Sequence, residues 1–450
     1  MTELDRNIYR QLDDWKSSPN RKPLVVLGAR QVGKTFALKR FAERRFEGLA
    51  YLDFSKDEAA RSLFSGSIAP ADLVPALELY LHMPIDPQNT LIVFDEAQAC
   101  ERSLTSLKYF CEDAPQYHVV AAGSLLGVKI RRGMEAFPVG KVDMLHLHPL
   151  NFEEYLWAVG ERMLADAIRD AYATGTDAFA LHDRAMRLVR DYELIGGMPE
   201  AVTTFVRLGS AGIDAFDRAR AKQAEINVGY ATDVVKYADE ADAARILAAL
   251  NSVPRQLAKE NHKFQYKTIR SGARASQYDT AVDWIDAAGI ALKCTRVSEG
   301  VAPLAAFEDE GAFKLYYADT GLLCARFEAL PQDIEPAADK GAAFRGAVAE
   351  NYVYQQIRAA GAAAHYWGTT SVAEVEFVAR TRAGDIVPIE VKSGQNVTSK
   401  SLGTFVRAYD SPYAIRLSAK NFGQAGGIRS VPLYAAPCLA EELQPESRIA

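Results

Sequence analysis

Five short apolar runs punctuate the first third of the chain. They are Leu24–Leu27 (LVVL), Leu49–Phe54 (LAYLDF), Leu91–Phe94 (LIVF), Tyr117–Ala122 (YHVVAA) and Lys141–Leu147 (KVDMLHL). Near-continuous apolar runs predict strands covered on both faces, the habit of a parallel sheet. Between them the spacing widens to a helical period. A helix is expected from Thr35 to about Phe46, another after a capping Ser55, and a third over 71–83, ended by Pro84. Pro87-Gln88-Asn89 is a turn. Residues 1–22 read as a leading helix. Strands alternating with helices predict an α/β domain over residues 1–150.

Residues 151–240 are helical by period, broken at Gly196-Gly197-Met198-Pro199, and read as a lid or connector. The pattern changes at Ala241. Helices are expected at 241–259, about 266–271 and 276–288, then strands at 290–298 and 313–318. Three helices and a hairpin are the layout of a winged helix over 241–325. A polar linker, 326–340, leads to a helix from Phe344 to Ala360. Two β-patterned stretches follow, Ala373–Ala379 and Ile386–Val391, within a last domain of 326–450.

The chemistry concentrates after the first strand. Gly28, Ala29, Arg30, Gln31, Val32, Gly33, Lys34 and Thr35 fit the phosphate-binding pattern G-x-x-x-x-G-K-[ST]. Its two glycines let successive N–H groups converge on phosphate oxygens, and the following helix adds the positive end of its dipole. Lys34 is expected to reach the β- and γ-phosphates of ATP, and the Thr35 hydroxyl to coordinate Mg²⁺. The third apolar run ends in Asp95 and Glu96. Asp95 is placed to hold the metal and Glu96 to polarise the attacking water. Ser124, after the fourth run, is either a γ-phosphate sensor or a strand-end turn. Arg131 and Arg132 are either arginine fingers or a solvated loop. His146 and His148 share a strand face but have no third ligand nearby.

The tail carries a second set of acids. Glu350 lies on the 344–360 helix, Glu376 on the first β stretch, and Glu390-Val391-Lys392 ends the second. That is the layout of PD-(D/E)xK nucleases, in which acids gather Mg²⁺ and the lysine steadies charge on phosphate. Glu376 departs from it, because an aspartate usually stands there. Residues 255–296 carry eight Lys or Arg against four acids, a net of +4. A basic helix-turn-helix face with Arg270 and Arg274 suits DNA phosphate. Contact with protein is the equal alternative.

The phosphate loop, LIVFDE, AAGSLL, FPVGKVDMLHLHPLNFEEYLWAVG and IGGMPEAV resemble a group of bacterial and archaeal AAA-type ATPases with a C-terminal region of uncharacterised function. PRQLAKENHKF, ADTGLL, GAVAENYV and PIEVKSG extend the resemblance through the tail. It implies the strand order 5-1-4-3-2, a winged helix and a small α/β nuclease-like domain.

Composition trims the function classes. The chain has 450 residues, 49% of them hydrophobic and 24% charged, as in a globular protein of several domains. A net charge of −6 argues against blanket nucleic-acid or membrane binding. No run approaches the ~20 apolar residues of a membrane span. The N-terminus lacks the apolar core of a signal peptide. Five cysteines without a C-x-x-C pair suit reduced thiols in a cytoplasm. Three functions fit: an ATP-driven switch or motor that positions the tail on DNA, an ATP-gated Mg²⁺ nuclease, or a nucleotide-controlled signalling scaffold. Each could work as a homo-oligomer.

Overall fold

A computed structural model describes residues 4–131, 133, 137–176, 179–210, 212–259, 262–335, 341–369, 373–394 and 400–445. Arg132 lies outside them. The chain forms two compact units, residues 6–148 and residues 149–286 together with the chain from 290 onward.

In the first unit the five apolar runs become β1 (Leu24–Leu27), β2 (Gly48–Asp53), β3 (Thr90–Asp95), β4 (His118–Ala122) and β5 (Asp143–His146). Every pairing is parallel and the order is β2-β3-β4-β1-β5, the order the resemblance implies. Every residue of β1, β3 and β4 is buried, because helices cover both faces of a parallel sheet. Burying each Val, Leu or Ile contributes about 1.5–3 kcal/mol, so a charge placed within the Leu91–Phe94 run of β3 would break the unit. The helices Lys34–Arg45, Pro70–Leu81 and Glu101–Asp113 link the strands. Phe54, Phe64 and Phe94 meet in one aromatic cluster, two of the three contacts edge to face at 5.3 Å. Parallel strands bring all their C-terminal ends to one edge. Gly28, Asp95 and Ser124 therefore gather there, though they are far apart in sequence.

The second unit opens with the helices Phe152–Ala158, Arg162–Thr174, His182–Ile195, Pro199–Arg207, Ile213–Tyr237 and Glu240–Leu257. An eight-stranded sheet follows: β6 (Ala291–Val297), β7 (Glu308–Tyr317), β8 (His365–Gly368), β9 (Glu374–Arg380), β10 (Ile386–Val391), β11 (Ala414–Ser418), β12 (Gly423–Ala425) and β13 (Ile428–Pro432). Its order is β12-β13-β11-β10-β9-β8-β6-β7. The helix Ala342–Ala359 is buried without a break from Ala347 to Ile357, so it is a core helix rather than an amphipathic cover.

The hairpin β6–β7 is the one expected to close a winged helix. Its second strand starts five residues before the apolar pattern predicts, and β6 pairs in parallel with β8. The strands expected in two domains, on either side of residue 325, are thus strands of one sheet. Backbone hydrogen bonding across β6–β8 makes that join, and no local apolar pattern reports a partner some seventy residues away in sequence. The helices Glu240–Leu257, Tyr266–Ile269 and Ala275–Ala287 precede the hairpin in the expected sequence.

Two motifs of the resemblance meet in this unit. The Gly197 N–H donates to Asp319 Oδ2 at 2.6 Å, and a Cβ on Gly197 would lie 2.0 Å from the Leu150 oxygen. Asp319 also caps the helix Thr320–Arg326 by accepting from the Leu322 N–H at 2.9 Å. Gln355 accepts from Thr320 N–H and hydroxyl at 2.9 and 2.7 Å, and Asn351 exchanges hydrogen bonds with both backbone groups of Tyr317. Buried polar groups satisfied in this way fix one arrangement of helix on sheet. Burial pushes the Asp319 carboxyl up to about 6, against the pull of its backbone donors.

Candidate functional site

The loop after β1 has the backbone that phosphate binding needs. Gly28 sits at φ +147°, and a Cβ there would lie 2.2 Å from the Leu147 oxygen, so only glycine fits. Gly33, at φ +98°, starts the helix Lys34–Arg45. Gln31 takes a left-handed φ of 66°. The Lys34 ammonium donates to the Gly28 and Ala29 carbonyls at 2.8 and 2.9 Å, inside its own loop. From outside the pattern, Arg6 donates to the Val32 and His148 carbonyls at 3.3 and 2.7 Å and clamps the loop's far side.

Asp95 ends β3 beside this loop. Its Oδ2 accepts from the Thr35 hydroxyl at 2.6 Å and from the Tyr51 hydroxyl at 2.7 Å. The carboxylate is 3% exposed and both side-chain donors are neutral, so its charge stays available to a cation. Burial, then the bond to Asp95, pushes the Tyr51 phenol well above its usual range. Glu96 adopts a left-handed φ of 51°, uncommon for a residue other than glycine, at the point where β3 ends. The Gln98 amide donates to Glu96 Oε2. Gln98 Oε1 is buried with no hydrogen-bond partner among the described residues, and a Cβ on Gly123 would lie 2.1 Å from it. Ser124 is half-buried just beyond β4 at the same edge. Arg131 ends the helix Leu126–Arg131. His146 and His148 stack with ring centroids 6.1 Å apart.

These groups fit Mg²⁺ with a nucleoside triphosphate. The loop offers N–H donors and a cradle that a Cβ would fill. Lys34 offers a cation, and Thr35 with Asp95 offers two oxygens on one spot. Tyr51, Gln98 and Arg6 escaped the sequence reading. Tyr51 was legible only as an apolar strand residue, and Gln98 only as the residue two beyond a paired acid.

The tail acids behave differently. Glu350 Oε1 accepts from Lys314 Nζ at 2.8 Å and from the Tyr316 hydroxyl, and Oε2 lies 2.7 Å from His262 Nδ1. Lys314 also pairs with Glu374 at 2.9 Å, and Glu374 with Lys263 at 2.9 Å. Lys392 lies 3.2 Å from Glu376 and 3.4 Å from Glu390, and Arg416 binds Glu390 at 2.8 Å. The structure thus brings Glu376, Glu390 and Lys392 together as expected. Glu350 is tied instead to the base of the pocket through Lys314. Burial would raise the Glu350 carboxyl, but Lys314 and His262 outweigh it and hold it well below the carboxylate range. Burial, with Glu350 adding, pushes Glu376 up to about 7 despite Lys392. No group of three or more His, Cys, Asp or Glu among the described residues could hold a metal ion. The residues do not fit the Mg²⁺ that the nuclease layout implies.

Arg270 and Arg274 are exposed, in the segment between the helices Tyr266–Ile269 and Ala275–Ala287. Arg270 lies over the Tyr278 ring at 5.9 Å. The Ala275–Ala287 helix itself carries Asp279, Asp283 and Asp286 and no Lys or Arg. Of the eight basic residues in this region, Lys263, Lys293 and Arg296 are already in ion pairs. All five cysteines are free. No helix among the described residues is long and apolar enough to cross a membrane.

Residues 20–156 match a family model described as an AAA domain. Residues 186–333 and 345–436 match two models, each described as a domain of unknown function (DUF8612 and DUF4143). No curated protein matches the chain. Similar solved structures include the Walker-type ATPase PABY2304 of Pyrococcus abyssi, at 14% identity and TM-score 0.44, covering 72% of this chain and 96% of that one. The Aeropyrum pernix ORC2 protein, in ADPNP–ADP complexes, shares 14% identity at TM-score 0.39, over 71% of this chain and 91% of that one. Cdc6p from Pyrobaculum aerophilum shares 12% at TM-score 0.28, over 79% and 96%. Family model, sheet order and loop agree that residues 20–156 are a P-loop domain of the AAA type.

Proposed function

We propose that this protein is a cytoplasmic ATPase of the switch type, in which Mg²⁺–ATP at the P-loop sets the state of the C-terminal region. The carrying observation is the Thr35–Asp95 pair, 2.6 Å apart beside the Gly28 cradle. Bound Mg²⁺–ATP would supply a phosphoanhydride open to attack by water and a metal to offset phosphate charge. The chain's own residues do the rest. The loop N–H groups orient the phosphates. Lys34 leaves its loop carbonyls to meet them. Glu96 orients the water once Gln98 releases it, and Ser124 reads the phosphate end. Arg131 or Arg132 from a second copy would complete the site in a homo-oligomer.

The region expected to bind DNA offers a mixed surface. Six of its eight basic residues precede the Ala275–Ala287 helix and two, Lys293 and Arg296, follow it on β6, whereas the acids Asp279 and Asp283 are exposed on the helix itself. A helix reading the major groove would carry those acids toward phosphate. This favours a protein partner, the scaffold reading, over sequence-specific DNA contact. The test is ATP hydrolysis by the full chain with and without single-stranded and duplex DNA. Turnover unaffected by either supports the switch with a protein partner. Strong stimulation that Arg270→Glu with Arg274→Glu removes would restore the DNA machine. No hydrolysis and no ATP binding would end the proposal.

A further inference from the structure

The tail pocket has its acids in place and its cation built in. Lys314 stands in an apolar stretch of β7 (AFKLYY), and its side chain is 1% exposed. Its ammonium contacts Glu350 from the Ala342–Ala359 helix and Glu374 from β9. Glu374 and Glu376 share a face of β9, since side chains alternate along a strand. Ile389 pairs with Phe377, so the next step of the antiparallel register sets Glu390 across from Glu376. Four carboxylates, Glu350, Glu374, Glu376 and Glu390, meet four cations, Lys263, Lys314, Lys392 and Arg416. With every acid counted as ionised and His262, 2.7 Å from Glu350, left out of the count, the formal balance is zero, so the pocket holds no excess of negative charge.

We propose that Lys314 Nζ is the resident cation of this pocket, filling the place where a divalent metal would join Glu350 to the β9 acids, so that the tail pocket works without a metal.

Two physical arguments converge. A carboxylate-built metal site needs excess negative charge, because the metal must be offset and its ligands must give up their other partners. This pocket has no excess. Entry of Mg²⁺ would also have to expel a buried ammonium, leaving it without the two carboxylates that pair it. Burial alone would depress the Lys314 ammonium, yet Glu350 and Glu374 hold it charged. Exposure supports the same assignment. Glu374 and Glu376 are 25% and 18% exposed and form the mouth, whereas Lys314 and Glu350 form the dry base.

The length of Glu376 is then secondary. Replacing it with aspartate would leave the ammonium in place, so Glu376→Asp should gain neither metal nor cleavage.

The test uses the full chain carrying Asp95→Asn, which removes the metal-holding acid of the P-loop, and MnCl₂ alone as the probe. Binding is read by loss of the free Mn²⁺ electron paramagnetic resonance signal and by the shift in melting temperature. With Lys314 intact, no saturable binding is expected tighter than about 1 mM, the weak end of carboxylate-built cation sites. Lys314→Met should gain a saturable Mn²⁺ site and melt higher with Mn²⁺ than without. Lys314→Met with Glu350→Gln should lose that gain. Saturable binding with Lys314 intact would overturn the proposal. So would a folded Lys314→Met chain that ignores Mn²⁺. Removing one partner of a buried pair is costly. If Lys314→Met folds only with Mn²⁺ the proposal stands, and if it never folds the chain with Lys314 intact decides alone.

Discussion

Two groups of carboxylates in this chain look alike in sequence and differ in what they touch. At the P-loop, Asp95 accepts from two hydroxyls, those of Thr35 and Tyr51. In the tail, Glu350, Glu374, Glu376 and Glu390 each contact an ammonium or a guanidinium. Neutral donors orient a carboxylate and leave its charge uncompensated, ready for Mg²⁺. Cationic donors orient it and cancel the charge as well. Acids at strand ends thus do not declare a metal site. The sign of their neighbours decides.

The largest test of this contrast is Lys34→Ala. It removes the side-chain cation aimed at the phosphates, and ATP binding at micromolar nucleotide should disappear in a calorimetric titration. Retained micromolar affinity would remove the P-loop half of the comparison.

Glu96→Gln comes next. The amide keeps the shape and loses the base, so ATP should still bind while steady-state hydrolysis falls ~10²–10⁴-fold. Unchanged turnover would make Glu96 a turn acid, held by Gln98 for structural reasons only.

The tail half is sharpened by pH. Glu376 is raised from 4.5 to about 7, so folding favours its protonated form. That stabilisation is complete below pH ~4.5 and is lost as pH rises through about 7. Chemical denaturation at pH 5 and pH 8 should therefore show wild type losing more stability than Glu376→Gln. At 1.36 kcal/mol per pKa unit the difference is on the order of 3 kcal/mol. A tail metal would lower the Glu376 carboxyl and reverse the sign, with stability rising over the same interval.

Tyr51→Phe should have the smallest effect. It removes one neutral donor from Asp95, worth about 0.5–1.5 kcal/mol. The Mg²⁺ concentration that half-saturates ATP binding should move by roughly two- to tenfold. A loss as large as that of Lys34→Ala would mean that Tyr51 does more than orient Asp95.

What the sequence determined is local or periodic. Buried parallel strands need unbroken apolar runs, so β1, β3 and β4 were legible, and with them the edge where Gly28 and Asp95 meet. The loop was legible because phosphate binding demands glycines at fixed spacing, and the Gly28 backbone leaves no room for a Cβ. What escaped is set by pairing across long separations. β6 joins β8 through backbone hydrogen bonds that any side chains could flank, so the expected winged helix gave no sign of sharing a sheet with the tail. β11, β12 and β13 are short and interleaved with polar residues, and they take their places only in succession, β11 against β10, β13 against β11 and β12 against β13. Lys314 left one trace, a lysine inside AFKLYY, but a lone charge in an apolar strand names no partner. Glu350 lies 36 residues later and Glu374 60 residues later. Only the folded sheet, with its core helix laid across it, brings those two carboxylates to one ammonium. A charge in so dry a place persists only where the fold has brought its counter-charges to it.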